Sequence, residues 1–192
     1  MVCGNIDAMN MRLTQDATGM ALEKLTVKRW IRGGTRILAA GGIGAVCAAG
    51  MSDTDVYAGY VAPDPDNDVT GLPTLEQVED DQLFDVLGAI ERVKIKGVRD
   101  ANRMFVDSFL RTNIAAAAIG SLHLAYAELD DTGVADEFGA TCLILNKYQY
   151  RDADTSYTWT CRMGGTPLDC DNLVVRALPA TGPGLFPFDF FR

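Results

Sequence analysis

Residues 37–50 read ILAAGGIGAVCAAG and residues 114–120 read IAAAAIG, two stretches built almost wholly of small apolar side chains. Small side chains allow two backbones to approach closely, so each stretch is expected to pack tightly against another element. Residues 98–129, which contain the alanine run 115–118, predict a long helix, and we expect residues 37–50 to lie against it. The composition of residues 37–51 leaves open whether they form a packed helix or a glycine loop.

Two further helices are predicted on either side of the first stretch. Residues 14–32 carry apolar side chains at spacings of three and four and end at two consecutive glycines, which stop a helix. Residues 74–77 read TLEQ, which matches a capping box and predicts a helix over residues 75–94. Three to four helices are therefore expected to form a bundle over residues 5–130.

The composition changes after residue 135, where runs rich in Tyr, Thr, Val and Ile occupy residues 140–150, 155–163 and 166–178. We interpret these runs as a small three-stranded antiparallel meander. The predicted fold class is therefore α+β. A helical domain spans residues 1–135, the β-meander packs on it over residues 136–178, and an extended arm spans residues 179–192.

The arm is rich in phenylalanine, proline and glycine. Leaving a phenylalanine in water forgoes roughly 1.5–3 kcal/mol relative to burying it, so the arm is expected to lie in a groove. That groove belongs either to the same chain or to a neighbouring subunit. The predicted subunit-contact residues of the arm are Phe186, Phe188, Phe190 and Phe191.

Charge is distributed unevenly along the chain. Residues 1–36 hold six Lys or Arg and three acids, and residues 37–91 hold no Lys or Arg and eleven acids. Residues 92–192 hold eleven Lys or Arg and twelve acids. Such a distribution favours an assembly in which the basic segment of one subunit contacts the acidic segment of the next. Both segments could also meet within one monomer. The predicted basic contact stripe consists of Lys24, Lys28, Arg32 and Arg36, which recur every four residues.

The overall composition excludes several classes of protein. A net charge of -9 opposes sequence-independent binding to nucleic acid or to anionic membranes. No stretch reaches the 18 or more apolar residues of a membrane span. Five cysteines without a C-x-x-C pair are interpreted as mostly reduced thiols, and no signal peptide is recognised, so we expect a cytoplasmic protein or a particle built in the cytoplasm.

Chemical motifs are sparse. The one histidine, His123, lies in an apolar stretch and is interpreted as a packed or partner-facing side chain rather than a catalytic one. Residues 66–77 imitate a calcium loop, with Asp66, Asp68 and Thr70 at ligand positions, but the twelfth position is Gln77 instead of glutamate. No catalytic residue, metal or cofactor is predicted.

The sequence therefore favours a non-enzymatic structural subunit of a large homo-oligomeric particle, such as a virion, whose partners are copies of itself and other structural subunits. One alternative is a small-molecule-binding protein or carboxylate-based enzyme, which would use Asp80, Asp81 and Asp85 with Tyr148 and Tyr150 around a cleft. A second alternative is a membrane-active delivery protein that inserts residues 37–51 and the alanine-rich helix.

Overall fold

The computed structural model describes residues 2–14, 19–61, 69, 71–127, 137–160, 167 and 173–179. Within these residues the chain is almost entirely β-structure with a single short helix. The elements are β1 (Val2–Cys3), β2 (Ile6–Asp7), β3 (Asn10–Leu13), β4 (Met20–Val27), β5 (Trp30–Arg32), β6 (Thr35–Ala39), β7 (Gly42–Ala48), β8 (Gly50–Ala58), α1 (Leu75–Glu79), β9 (Ala89–Ile95), β10 (Val98–Arg99), β11 (Phe105–Val106), β12 (Phe109–Ala125), β13 (Phe138–Leu145), β14 (Lys147–Arg151), β15 (Ser156–Thr160) and β16 (Leu173–Ala177).

The strands wind as a parallel solenoid with three faces. The first face stacks β1, β4, β7, β9, the end of β12 and then β14. The second face stacks β2, β5 and the starts of β8 and β12. The third face stacks β3, β6, β8, the middle of β12, β13 and β16. All these pairs are parallel, so each passage of the chain around the three faces adds one coil.

A six-residue pattern recurs on the first face, in which apolar residues occupy the first, fourth and sixth positions. The first positions pair in one column through all five occurrences: Leu22 with Ile43, Ile43 with Ile90, Ile90 with Ile119, and Ile119 with Leu145. The fourth and sixth positions are buried in the interior, whereas the fifth faces outward. The occurrences read LEKLTV (22–27), IGAVCA (43–48), IERVKI (90–95), IGSLHL (119–124) and LNKYQY (145–150).

The other two faces complete the core. Ile31 pairs with Met51 and Met51 with Phe109, and all three side chains are fully buried. At the corner between these faces Thr35, Thr54 and Thr112 form a buried column. Each threonine hydroxyl donates to a backbone carbonyl two or three residues earlier, which satisfies a polar group where the chain turns.

The segment between β8 and β9 covers the third face. Val78 and Phe84 from this cover pack against Tyr57, Tyr60 and Ala115 in a second buried cluster. Hydrogen bonds also join the cover to the strands of the solenoid. The Tyr57 hydroxyl of β8 donates to the Gly71 carbonyl at 2.5 Å, and the Arg36 guanidinium of β6 donates to the Val69 carbonyl at 2.9 Å. The third face is therefore shielded by the chain's own insertion.

The predicted α+β class with its helical bundle is wrong, because the described residues are nearly all β-structure. Residues 14–32 form β4 and β5 where they are described, and residues 98–129 hold β10, β11 and the 17-residue β12 instead of a helix. The spacing of three between Ile119 and Leu122 marks a corner of the solenoid, and the same spacing suits a helix. Residues 37–50 are neither a helix nor a glycine loop, because they belong to β6, β7 and the start of β8. Strands β6 and β7 do not pair with the alanine run as expected, because that run pairs with β8, β9 and β13.

The TLEQ capping box is present, with the Thr74 and Gln77 side chains bonded reciprocally to each other's backbone N–H. The helix that it starts spans only Leu75–Glu79, and the residues predicted to continue it enter a turn and then β9.

The small antiparallel meander is also wrong. The run 140–150 divides at Asn146 into β13 and β14, and only β14 with β15 forms an antiparallel pair among these strands. The third run enters the solenoid as β16, which pairs parallel to β13. Except for Pro179, the predicted arm lies outside the described residues.

Candidate functional site

The outward side chains of the first face form a cluster of cations. The fifth positions of the hexapeptide pattern stack as Thr26, Cys47, Lys94, His123 and Gln149. One column to the side, Arg92 pairs with Ser121. Lys147 and Arg151 from β14 complete the cluster beside these columns. We call Arg92, Lys94, His123, Lys147 and Arg151 the basic face.

The side chains of the basic face lie near one another because the parallel pairing of their strands aligns them, and not because ion pairs join them. Neighbouring strands lie about 4.8 Å apart, so side chains two strands apart are separated by about 10 Å. In the part of the chain that the structure describes, none of the four Lys and Arg side chains forms an ion pair, whereas other arginines do. The cations of this face are therefore available to a partner.

His123 lies in the positive electrostatic environment of the basic face. Burial lowers the pKa of this half-buried imidazole below its ordinary value, and the positive charges of Lys147, Lys94 and Arg92 lower it further. These three cations come from two strands, one on each side of the histidine. The local potential is thus positive on a chain whose net charge is -9.

Acidic side chains gather on the cover of the third face. Asp80 accepts a hydrogen bond from the Gln82 backbone N–H, and Asp85 accepts one from the Leu87 backbone N–H. No described cation pairs with these acids. We call this set the acidic cover; its members are Glu76, Glu79, Asp80, Asp81 and Asp85.

Three exposed aliphatic side chains accompany the acidic cover. Val61 is 42% exposed, and Val86 and Leu87 are each 52% exposed. The Val61 backbone N–H donates to the Leu83 carbonyl, and a bridge joins Tyr60 to Phe84, so these side chains belong to one local region. Exposed apolar side chains beside polar ones are typical of contact surfaces.

The predicted basic stripe is distributed over several sides of the solenoid. Lys24 lies on β4 and Lys28 is exposed in the turn that follows. Arg32 on β5 forms an ion pair with Asp7, and Arg36 on β6 forms one with Asp55 at 3.1 Å. The four residues do not share one face, because the helix that would have stacked them is absent.

The residues of the carboxylate alternative are not brought together. Asp80, Asp81 and Asp85 lie outside the solenoid on the cover, while Tyr148 and Tyr150 are buried in its interior. The remaining predicted positions, Asp66, Asp68, Thr70, Phe186, Phe188, Phe190 and Phe191, lie outside the described residues.

The thiols and carboxylates offer no metal centre among the described residues, where no group of three His, Cys, Asp or Glu side chains could hold an ion. Cys142 is a free, fully buried thiol, and burial raises its pKa. Cys47 is free and half-buried on the first face. In the described residues, no helix is long and apolar enough to cross a membrane.

Sequence reasoning missed the basic face because its members stand at residues 92, 94, 123, 147 and 151. The recurring hexapeptide was the signal that could have found it, since aligning its occurrences places Lys94, His123 and Gln149 in one column. Comparisons with protein-family models, with curated proteins and with solved structures return no match to this chain.

Proposed function

We propose that this chain is a non-enzymatic structural subunit that assembles with copies of itself, the basic face of one copy binding the acidic cover of the next. The observation that carries this proposal is that cations and acids without an ion pair among the described residues stand on different faces of the solenoid. The cations stand on the first face, and the acids stand on the insertion that covers the third.

Electrostatics supports pairing between copies. Like charges held close together repel, and a partner of opposite charge relieves that repulsion while guiding association. The two surfaces belong to different faces, so the contact is heterologous. Heterologous contacts generate rings when the rotation closes and filaments when it does not, and both are large homo-oligomers.

The exposed aliphatic side chains beside the acidic cover would supply the apolar part of such a contact. Val61, Val86 and Leu87 would provide an apolar centre, and Asp80 and Asp81 a charged rim, which is the usual arrangement of protein interfaces. Burying these aliphatic groups contributes affinity, while the charges fix the partner and the orientation.

Light scattering coupled to size-exclusion chromatography tests the proposal. We expect species larger than the 20.7 kDa chain at low salt, and their dissociation when salt is raised, because ionic strength screens surface charges. Asp81→Lys is expected to weaken assembly because it places a cation opposite cations. Asp107→Lys is the matched control, since Asp107 is also exposed but lies between β11 and β12. A monomer at every concentration and salt would overturn the proposal.

A further inference from the structure

On the basic face, the end of β12 lies between β9 and β14, whose outward side chains are longer than its own, and we call this strip of surface the groove. Its floor is formed by the half-buried side chains of Ser121 and His123, and the small, buried Ala125 follows them on the strand. One wall consists of Arg92 and Lys94 on β9, which pair with Ser121 and His123. The other consists of the β14 side chains Lys147, Gln149 and Arg151. Two strand spacings separate the walls, or about 10 Å.

The groove has a repeat along its length. Outward side chains of a strand recur at every second residue, about 6.6–6.8 Å apart. Arg92 and Lys94 follow this repeat on one wall, and Lys147 and Arg151 stand two repeats apart on the other. An extended peptide has the same period, so carboxylates at every second residue of such a peptide would meet successive cations.

The sequence of this chain carries such a pattern. In the sequence, Asp64, Asp66 and Asp68 stand at every second residue, and Pro63 before them and Pro65 among them disfavour a helix. Val61 and Val69 bound this segment, and the Val69 backbone N–H donates to the Tyr60 hydroxyl within the cover of the third face. The segment is thus connected to the surface opposite in charge to the groove.

We propose that the groove between β9 and β14 binds residues 62–68 of a second copy, with the aspartates of that segment facing the floor, between the cations of the two walls. This inference rests on the proposed self-assembly and names its contact. Its chemistry is the recognition of an extended peptide by charges in matched register, and the single histidine lies on the groove floor where it can report occupancy.

A capped peptide with the sequence of residues 62–68, APDPDND, is the probe. NMR of the full chain should show saturable movement of the His123 ring signals, and the pKa of His123 should rise, because bound carboxylates stabilise the imidazolium. Two control peptides should bind at least about tenfold more weakly: one with the three aspartates replaced by asparagine, and one with the three aspartates adjacent.

Matched variants locate the binding. Lys94→Glu is expected to lower peptide affinity at least about tenfold, because it sets like charges against each other. Lys28→Glu makes the same change of charge at an exposed residue outside the groove and should bind as the wild type does. No binding, equal loss in both variants, or equal binding of the asparagine peptide would overturn the inference. So would binding of inorganic polyphosphate in place of the peptide.

The inference and the proposed function can fail separately. If the peptide does not bind, while salt and Asp81→Lys still weaken assembly, the proposed function stands and residues 62–68 are removed as its contact. A chain that never assembles would remove the proposed function, and with it the second copy as the source of the peptide.

Discussion

At the scale of single residues, the solenoid depends on positions where only a small side chain fits between neighbouring coils. Gly44 on β7 is the clearest example, because a Cβ there would fall far inside van der Waals contact with the Glu23 carbonyl oxygen of β4. Backbone atoms cannot move away as a flexible side chain can. Gly44 therefore serves the close approach of the parallel strands β4 and β7.

Gly44→Ala is expected to destabilise the fold by about 1–3 kcal/mol, because the β4 backbone must shift to admit the methyl group. Gly4→Ala is the control, since nothing lies within 4 Å of a Cβ at that position. Chemical denaturation of both variants measures the difference. Equal stability of the two would contradict the close approach of β4 and β7.

The lowered pKa of His123 makes stability depend on pH in a defined direction. Because the unfolded chain binds this proton more readily than the folded chain, stability falls as pH drops through the ordinary histidine pKa of about 6.5, and the loss levels off below the folded pKa.

We expect His123→Gln to lose less stability than the wild type between pH 7.5 and pH 5.5. Other groups that titrate in this range contribute to both proteins and cancel in the difference. Denaturant titrations at the two pH values measure it. A larger loss in the variant would mean that the folded protein holds the imidazolium more tightly than the unfolded chain does.

At the scale of elements, the hexapeptide with apolar first, fourth and sixth positions defines one strand and one corner of each coil. The fourth positions form a column of interior side chains, in which Val93 pairs with Leu122 and Leu122 with Tyr148. All three are fully buried. Each coil therefore buries its apolar side chains only when the coils above and below it are in place.

Leu122→Ala is expected to cost about 2–5 kcal/mol, since it removes methyl groups from the column and leaves a cavity. Leu178→Ala should change stability by no more than about 0.5 kcal/mol, because Leu178 is 43% exposed just after β16. Urea unfolding of both variants tests the column. If Leu122→Ala lowered the free energy of unfolding by no more than Leu178→Ala does, Leu122 would not lie in a packed core inside the solenoid.

At the scale of the whole molecule, coiling brings distant residues together and sorts their charges. Arg92, His123 and Lys147 are dispersed in sequence yet lie on one face, while the acids of residues 76–85 stand on the cover of another. The cations of this face come from residues 92–151, where the sequence is nearly balanced in charge, so the difference between the faces arises from the coiling. The predicted partner of the acidic segment changes from residues 24–36 to strands β9 and β14.

The far-UV circular dichroism spectrum tests the architecture as a whole. We expect a β-type spectrum with little helical signal, because α1 contributes only five helical residues among those described. The alanine-rich and glycine-rich stretches would give a strong helical spectrum if they formed the bundle that their composition favours. Such a spectrum would contradict the solenoid.

The sequence by itself determined the uneven charge and the capping box at Thr74. These features depend on composition and on residues near one another, so they can be read locally. Only the tertiary structure decided that the small-residue stretches are strands and that Arg92, Lys94, His123 and Lys147 form one surface. A spacing of three suits both a helix and a solenoid corner, and parallel pairing between coils selects the corner by burying apolar residues 21 to 47 positions apart along the first face.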